Sequence, residues 1–264
     1  MSELVSIVIA SYNAAHFLGN TIDSVIDQTY KDWELIIVND ASTDNTIELV
    51  HDYIDKDDRI RIFSLETNNG NPSYPRNFGV KMARGEWIAI LDSDDIWHPR
   101  KLEFQMAFLK RTNAQFCSTQ MRNFKKEKEI SFSDPENLKH VVISFSDQLK
   151  RYNTPTSSIV LKKHLLEKFP FMNDKLHEKR EDLKCWLDIH QEIGESIKLQ
   201  YPFVRYRISP GQLSKEKFKL VFRSFIVLWN FRLSNGKKLG LKAIYYTFTH
   251  VLHAIHYRVL KSSL

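Results

Sequence analysis

Glycine is scarce in this chain, eight residues in 264, and none forms a Gly-x-Gly-x-x-Gly or Gly-x-x-x-x-Gly-Lys loop after an apolar run. Both loops exist to let backbone N–H groups close on phosphate, so neither a Rossmann dinucleotide enzyme nor a P-loop nucleotide hydrolase fits. Cysteine is scarcer still. Cys117 and Cys185 are too few for a disulfide scaffold and fit a reduced cytosolic protein. No apolar run reads as a clean membrane span, and residues 4–10 are too short for a signal-peptide core. The expectation is a protein that is neither secreted nor membrane-integral.

Acid is what the C-terminus lacks. Residues 215–264 hold ten Lys or Arg against Glu216 alone, a net +9, whereas the whole chain carries +6. The first 214 residues therefore stand at −3, and the basic balance belongs to the tail. A nucleic-acid partner is not expected for the body of the protein. Disorder is also excluded, because 17 Phe, 10 Tyr and 5 Trp supply ample apolar surface.

What is present is a rhythm. Residues 5–10, 33–38, 60–64 and 87–91 are short β-branched or apolar runs that predict strands. Between them, helical stripes occupy 14–28 (Phe17, Leu18, Ile22, Val25), the stretch bearing Ile47, Val50 and Ile54, and about 75–83. Pro99 opens a further helix with Leu102, Met106 and Leu109. Four alternations in about 110 residues predict an α/β fold with a doubly wound parallel sheet, whose ligand site lies beyond the carboxyl ends of the strands. After Arg111 the rhythm breaks into mixed short strands at 141–145 and 157–161, then a helix over 180–192.

Polar residues sit at those strand ends. Asp92-Ser93-Asp94-Asp95 places three carboxylates in four residues. Their mutual repulsion suits a hard divalent cation, Mn2+ or Mg2+, shared with a diphosphate. The competing reading is that Asp94 or Asp95 caps the helix that Pro99 opens. Asp40 ends the second strand and can accept from a base N–H or a ribose hydroxyl. Asp44 reads better as an acid favoured at a helix N-terminus. Tyr12 can stack on a base or simply cover the sheet edge.

Together, Val5-Ser-Ile-Val-Ile-Ala-Ser11-Tyr12-Asn13, Asn39-Asp40-Ala-Ser-Thr-Asp44, Arg76-Asn77 before Ala83-Arg-Gly-Glu-Trp-Ile, and Leu91-Asp-Ser-Asp-Asp95 resemble the motif set of family 2 glycosyltransferases. The resemblance implies a GT-A fold, a mostly parallel sheet flanked by helices, and inverting transfer from a nucleotide sugar, usually a UDP-sugar. It implies that Ser11, Tyr12, Asn13 and Asp40 meet the nucleoside, that Asp92, Ser93 and Asp94 lie at ribose and metal, with Asp94 and Asp95 sharing the metal, and that Arg76 lies near the diphosphate. Glu181-Asp182, on the helix expected at 180–192, looks like the family's Glu-Asp motif, which makes Asp182 the general base. An exposed pair on a charged helix face is the alternative. Tyr206-Arg207-Ile-Ser209-Pro210-Gly211 resembles the loop that often ends the catalytic domain, where Arg207 could reach phosphate and Pro210-Gly211 suits a hinge.

The expected organisation is a catalytic domain over 1–214, with a donor-binding half (1–110) and an acceptor-binding half (111–214), followed by a helical extension at 215–264. In that extension, basic residues alternate with Phe218, Phe222, Phe225, Trp229 and Phe231. This describes a helix lying on anionic lipid, or else a cap on the domain or a dimer contact, so an oligomer stays open. The implied acceptor is a hydroxyl of a lipid-linked or cell-surface glycan precursor, of lipopolysaccharide or capsule type, met at the cytoplasmic face of the plasma membrane. Two rivals remain at this point: a nucleotidyltransferase, which usually carries a Gly-rich basic loop absent here after the first strand, and a non-catalytic membrane adaptor, which has no need of four carboxylates at 40, 92, 94 and 182.

Overall fold

A computed structural model describes residues 3–151, 154–174, 177, 179–208 and 217–262, the side chains of 217, 218 and 254–262 excepted. Strands β1 (Val5–Ser11), β2 (Trp33–Asn39), β3 (Ile60–Ser64) and β4 (Trp87–Ile90) lie parallel in the order β3-β2-β1-β4. Helices α1 (Leu18–Ile26), α2 (Thr46–Ile54) and α3 (Ser73–Met82) connect them. Every residue of β2 and β4 is buried. On β1, Ile7 and Ile9 join the core beneath α1, while Val8 joins the one beneath α3. A strand covered on both faces must be apolar at consecutive positions, and for that reason β1, β2 and β4 were legible.

The chain continues through β5 (Ile96–Trp97), α4 (Lys101–Thr112), β6 (Phe116–Phe124), β7 (His140–Ser144), α5 (Phe145–Lys150), β8 (Val160–Lys162), α6 (Lys163–Lys168), α7 (Glu181–Ile193) and β9 (Glu195–Arg207). The full order is β3-β2-β1-β4-β8-β6-β9-β5, with β7 on β9. Strands β8, β5 and β7 run antiparallel to their neighbours, and β6 and β9 run parallel to each other. The strand expected at 157–161 is shorter: Thr156–Ser158 forms a 3₁₀ turn and β8 begins at Val160. Strand β9, the longest, had no counterpart in the sequence reading.

Two contacts show how tightly the sheet is covered. A Cβ on Gly79 would stand 2.4 Å from Val8 Cγ1, so α3 can lie this close to β1 only because residue 79 has no side chain. At the amino ends of the strands, buried Glu34 accepts from Ser6 Oγ (2.6 Å), Arg84 N–H (2.7 Å) and Arg61 Nη2 (2.7 Å). Burial would raise this carboxyl, but those donors and the Arg61 charge hold it below its ordinary value.

Helices α8 (Lys217–Asn230) and α9 (Lys242–Ser262) follow. Val227, Leu228 and Phe231 pack with Leu183 and Leu187 of α7, Leu149 of α5, Leu239 and Ala243 in a third core. One face of the extension thus caps the domain. No helix among the described residues is long and apolar enough to cross a membrane. Cys117 and Cys185 are free and wholly buried. Burial pushes the Cys117 thiol up to about 12 and the Cys185 thiol well above its ordinary value.

Candidate active site

The sheet winds outward in both directions from β1 and β4, so the crevice lies over their carboxyl ends. The pairing Val8↔Ile90 brings the turn after β4 level with the end of β1. The acidic cluster therefore lies beside Ser11 and Tyr12. Thr21 Oγ1 donates to the Ser93 carbonyl at 3.1 Å and ties α1 to the turn.

Tyr12 is 50% exposed at this crest, and Ser11 beside it is buried. Asn13 and Ala41 both take left-handed backbone, φ 48° and 58°. Asn13 Oδ1 accepts from Thr43 N–H (2.8 Å), and Ser42 Oγ accepts from Asn13 N–H (2.9 Å). Asn13 thus locks the loops after β1 and β2 together. Asp44 does the same work, accepting from Ala15 N–H and Thr46 N–H (both 3.1 Å), as a helix-terminal acid should. Asp40 is buried, and both its oxygens are engaged by the turn after β3: Asn69 Nδ2 donates at 2.7 Å, Asn69 N–H at 3.0 Å and Asn68 Nδ2 at 3.1 Å.

The three acidic side chains of the turn are not equivalent. Asp92 is one-third exposed and accepts from Arg76 Nη2 at 2.6 Å. Asp95 is fully buried. Its Oδ1 accepts from Arg207 N–H at 3.1 Å, and its Oδ2 has no hydrogen-bond partner among the described residues. Asp94 lies between these extremes. Burial and the Asp92 charge push Asp94 up to about 6, and burial with the Asp92 and Asp94 charges pushes Asp95 well above its ordinary value. Such a turn holds negative charge uncomfortably, and that electrostatic state suits a cation.

Arg76 is the link to the far wall. Its buried guanidinium also stands 3.7 Å from Glu181 Oε1, at the start of α7, and 5.4 Å from the Phe171 ring. Burial alone would lower Arg76, but Asp92 and Glu181 together raise it. Glu181 is itself raised, by burial and then by the Asp182 charge, and its buried Oε2 has no hydrogen-bond partner among the described residues. Asp182 follows, with Oδ1 accepting from Leu183 N–H at 2.7 Å and Oδ2 accepting from Thr156 Oγ1 at 3.4 Å. Ser157 Oγ accepts from Asp92 N–H at 3.1 Å. The turn Thr156–Ser158 therefore touches the main chain of the acidic turn on one side and the Asp182 carboxylate on the other.

Sequence reasoning missed three of these groups. Thr156 and Ser157 lie in Thr154-Pro-Thr-Ser-Ser158, whose small polar residues signal a turn but not its placement. Glu181 was read as one half of a motif, not as the second partner of Arg76. Tyr206, raised by burial and by the Asp95, Asp92 and Asp94 charges, also borders the cluster.

The expectation for Arg207 needs correcting. Instead of reaching toward phosphate, Arg207 is buried. Nε donates to the Asp94 carbonyl (3.0 Å) and Nη1 to Glu127 (2.7 Å), while the guanidinium lies 4.3 and 4.5 Å from the rings of Phe17 and Phe124. It braces the acidic turn. The hinge expected at Pro210-Gly211 lies outside the described residues.

For a metal, the fit is that of an open donor set. Burial and mutual repulsion make Asp94 and Asp95 weaker acids than usual and Asp95 Oδ2 lacks a partner, yet among the described residues no three Asp, Glu, His or Cys side chains form a ligand cluster. Oxygens from a bound diphosphate would have to complete the shell.

Residues 6–169 match the family model described as glycosyl transferase family 2. The UDP-Glc:alpha-D-GlcNAc-diphosphoundecaprenol beta-1,3-glucosyltransferase WfgD of Escherichia coli is 33% identical over 264 residues, spanning 97% of both chains. A second Escherichia coli enzyme of the same description, WfaP, is 31% identical over 97% of this chain and 98% of its own. Among solved structures, TarS of S. aureus in complex with UDP superposes with a TM-score of 0.64 at 20% identity, over 87% of this chain and 67% of that one. The mannosyltransferase PcManGT of Pyrobaculum calidifontis, solved with GDP-Man and Mn2+, gives 0.64 at 17% identity, over 92% and 69%. At such identities the two structures speak for the fold alone.

Proposed function

The chain belongs to glycosyl transferase family 2 and is a glycosyltransferase, and from that premise we propose that it moves a hexose, with inversion, from a UDP-sugar to a hydroxyl of a lipid-diphosphate-linked glycan. The full-length likeness to two enzymes named for UDP-Glc and a diphosphoundecaprenol acceptor supports the donor and acceptor classes. The observation that carries the reaction is the placement of Asp182 across from the Asp92–Asp95 turn, with Thr156 and Ser157 between them.

Tyr12 offers an exposed ring on which a uracil can stack, with Ser11 and Asn13 shaping the loop beneath it. Asp40 can meet the nucleoside once it exchanges a bond now made to Asn68 or Asn69. Asp92 and Ser93 border the ribose. Arg76, already charged and buried beside Asp92, faces the diphosphate side. Asp94 and Asp95 would hold Mn2+ or Mg2+, which supplies neutralisation of the departing diphosphate.

Transfer is then one in-line displacement. The acceptor hydroxyl gives its proton to the Asp182 carboxylate as its oxygen bonds to the anomeric carbon. The bond from that carbon to the diphosphate oxygen breaks, and UDP leaves with the electron pair. A lipid-borne acceptor places the enzyme at the cytoplasmic face of the plasma membrane.

The test is Asp182→Asn in a transfer assay with UDP-glucose and a synthetic GlcNAc-diphospho-lipid. Transfer should fall roughly 10²–10⁴-fold while Mn2+-dependent UDP binding persists. NMR of the product should show the opposite anomeric configuration to the donor. Retention of configuration, or an active Asp182→Asn, would rule the mechanism out.

A further inference from the structure

Large apolar side chains that remain exposed are concentrated in the last two helices. Leu241, Ile244, Tyr245, Phe248 and Leu252 are 48–76% exposed. At about 100° per residue the four on α9 fall within an arc of about 100°, a single stripe along its first half, with Leu241 just before its start. The opposite side is anchored. Ala243 is buried in the third core, His250 Nε2 bonds the Leu149 carbonyl at 2.9 Å, and His253 Nε2 lies 3.2 Å from Arg151 Nη1. The stripe is therefore presented by a helix already fixed on the domain, not by one waiting to fold back on it.

From α8 onward the extension that carries it holds one sign of charge. Residues 217–262 contain nine Lys or Arg and no acid, and Lys237, Lys238 and Lys242 stand at the entry to α9. A second copy of the chain would bring the same positive charge to the contact. An anionic surface that also accepts apolar side chains matches both properties.

We propose that the outer stripe of α9, with the basic residues at its entry, docks the protein on an anionic lipid bilayer. α9 packs on α5 and α8, and α8 packs on α7, whose first turn carries Asp182. The docked face is thus connected to the proposed base by packed helices. The inference rests on the proposed lipid-linked acceptor for its purpose. Its evidence is the surface itself.

Vesicle flotation without sugar or acceptor tests it. The wild-type chain should bind phosphatidylcholine vesicles containing 30% phosphatidylglycerol, and bind phosphatidylcholine alone at least tenfold more weakly. The double variant Ile244→Glu/Phe248→Glu should lose at least tenfold in binding to the anionic vesicles. Its melting temperature and its rate of UDP release from donor in solution should stay unchanged, because both positions are more than half exposed. Undiminished vesicle binding by that variant overturns the proposal. So does a wild-type chain that ignores vesicles but forms a dimer, by light scattering, that the variant cannot form. Anionic vesicle binding by a chain that fails to transfer sugar would leave docking standing and sink the reaction instead.

Discussion

The main-chain N–H of Arg207 donates to Asp95 Oδ1 at 3.1 Å, fastening the last strand of the sheet to the acidic turn 112 residues earlier. The partner explains why three neighbouring carboxylates behave differently. Asp95 is spent partly on architecture and Asp92 on Arg76, whereas the Asp94 carboxyl is pushed up by burial and by the Asp92 charge.

Asp94 should accordingly cost the ligand-free protein stability. Its folded value of about 6 exceeds its ordinary 3.8, so the folded state holds the proton more tightly than the unfolded chain does. The contribution of Asp94 to wild-type stability therefore declines as pH rises from about 4 to about 6, then levels. Asp94→Asn should match the wild type below pH 4 and exceed it by up to about 2–3 kcal/mol at pH 7 in EDTA, measured by urea unfolding. Adding Mn2+ and UDP should reverse the order, because the wild type gains more from the ligands.

Arg76 should act as a buried counter-charge to two walls at once. Arg76→Gln leaves Asp92 and Glu181 uncompensated and should cost about 3–5 kcal/mol. Adding Glu181→Gln should recover part of that loss. A double-mutant cycle by chemical denaturation reads the coupling, and additive losses would contradict it.

At the opposite end of the strands, Glu34→Gln should cost about 1–3 kcal/mol at pH 7, with donor binding unchanged. Glu34 lies below its ordinary value, so its contribution is present above about 4.5 and disappears as pH falls through the lowered value. The gap between variant and wild type should close in acid, as followed by circular dichroism.

Gly79→Ala should destabilise by about 1–3 kcal/mol, since the new Cβ meets Val8 Cγ1 at 2.4 Å. Val8→Ala in the same chain should restore part of the melting temperature. Failure of that rescue would place the strain elsewhere.

The parts of the fold readable in the sequence share one physical property. β1, β2 and β4 are buried on both faces, so their residues announce themselves as uninterrupted apolar runs, and Asp92-Ser-Asp-Asp95 is conspicuous because acids rarely crowd a strand end without cause. β9 carries no such signature. Lys198, Gln200, Pro202 and Arg205 interrupt it, and while β6 pairs along most of its length, β7 and β5 pair with separate segments, 195–199 and 204–205. Pro202 is tolerated where the pairing slips opposite Gln120. The bracing role of Arg207 depends on that strand and was hidden with it. In the C-terminal extension, composition revealed a basic amphipathic helical segment, but its contacts with Leu149 of α5 and with Leu183 and Leu187 of α7 decide which side of α8 is covered.

The two sealed thiols leave a practical opening. Cys117 and Cys185 are wholly inaccessible, with acidities far from neutral pH, and the chain has no other cysteine. A maleimide dye offered to the native protein at pH 7 will find nothing to react with. A cysteine introduced at Tyr245 would therefore be labelled alone, and single-site fluorescence could follow this molecule in a mixture without prior removal of either native sulfur.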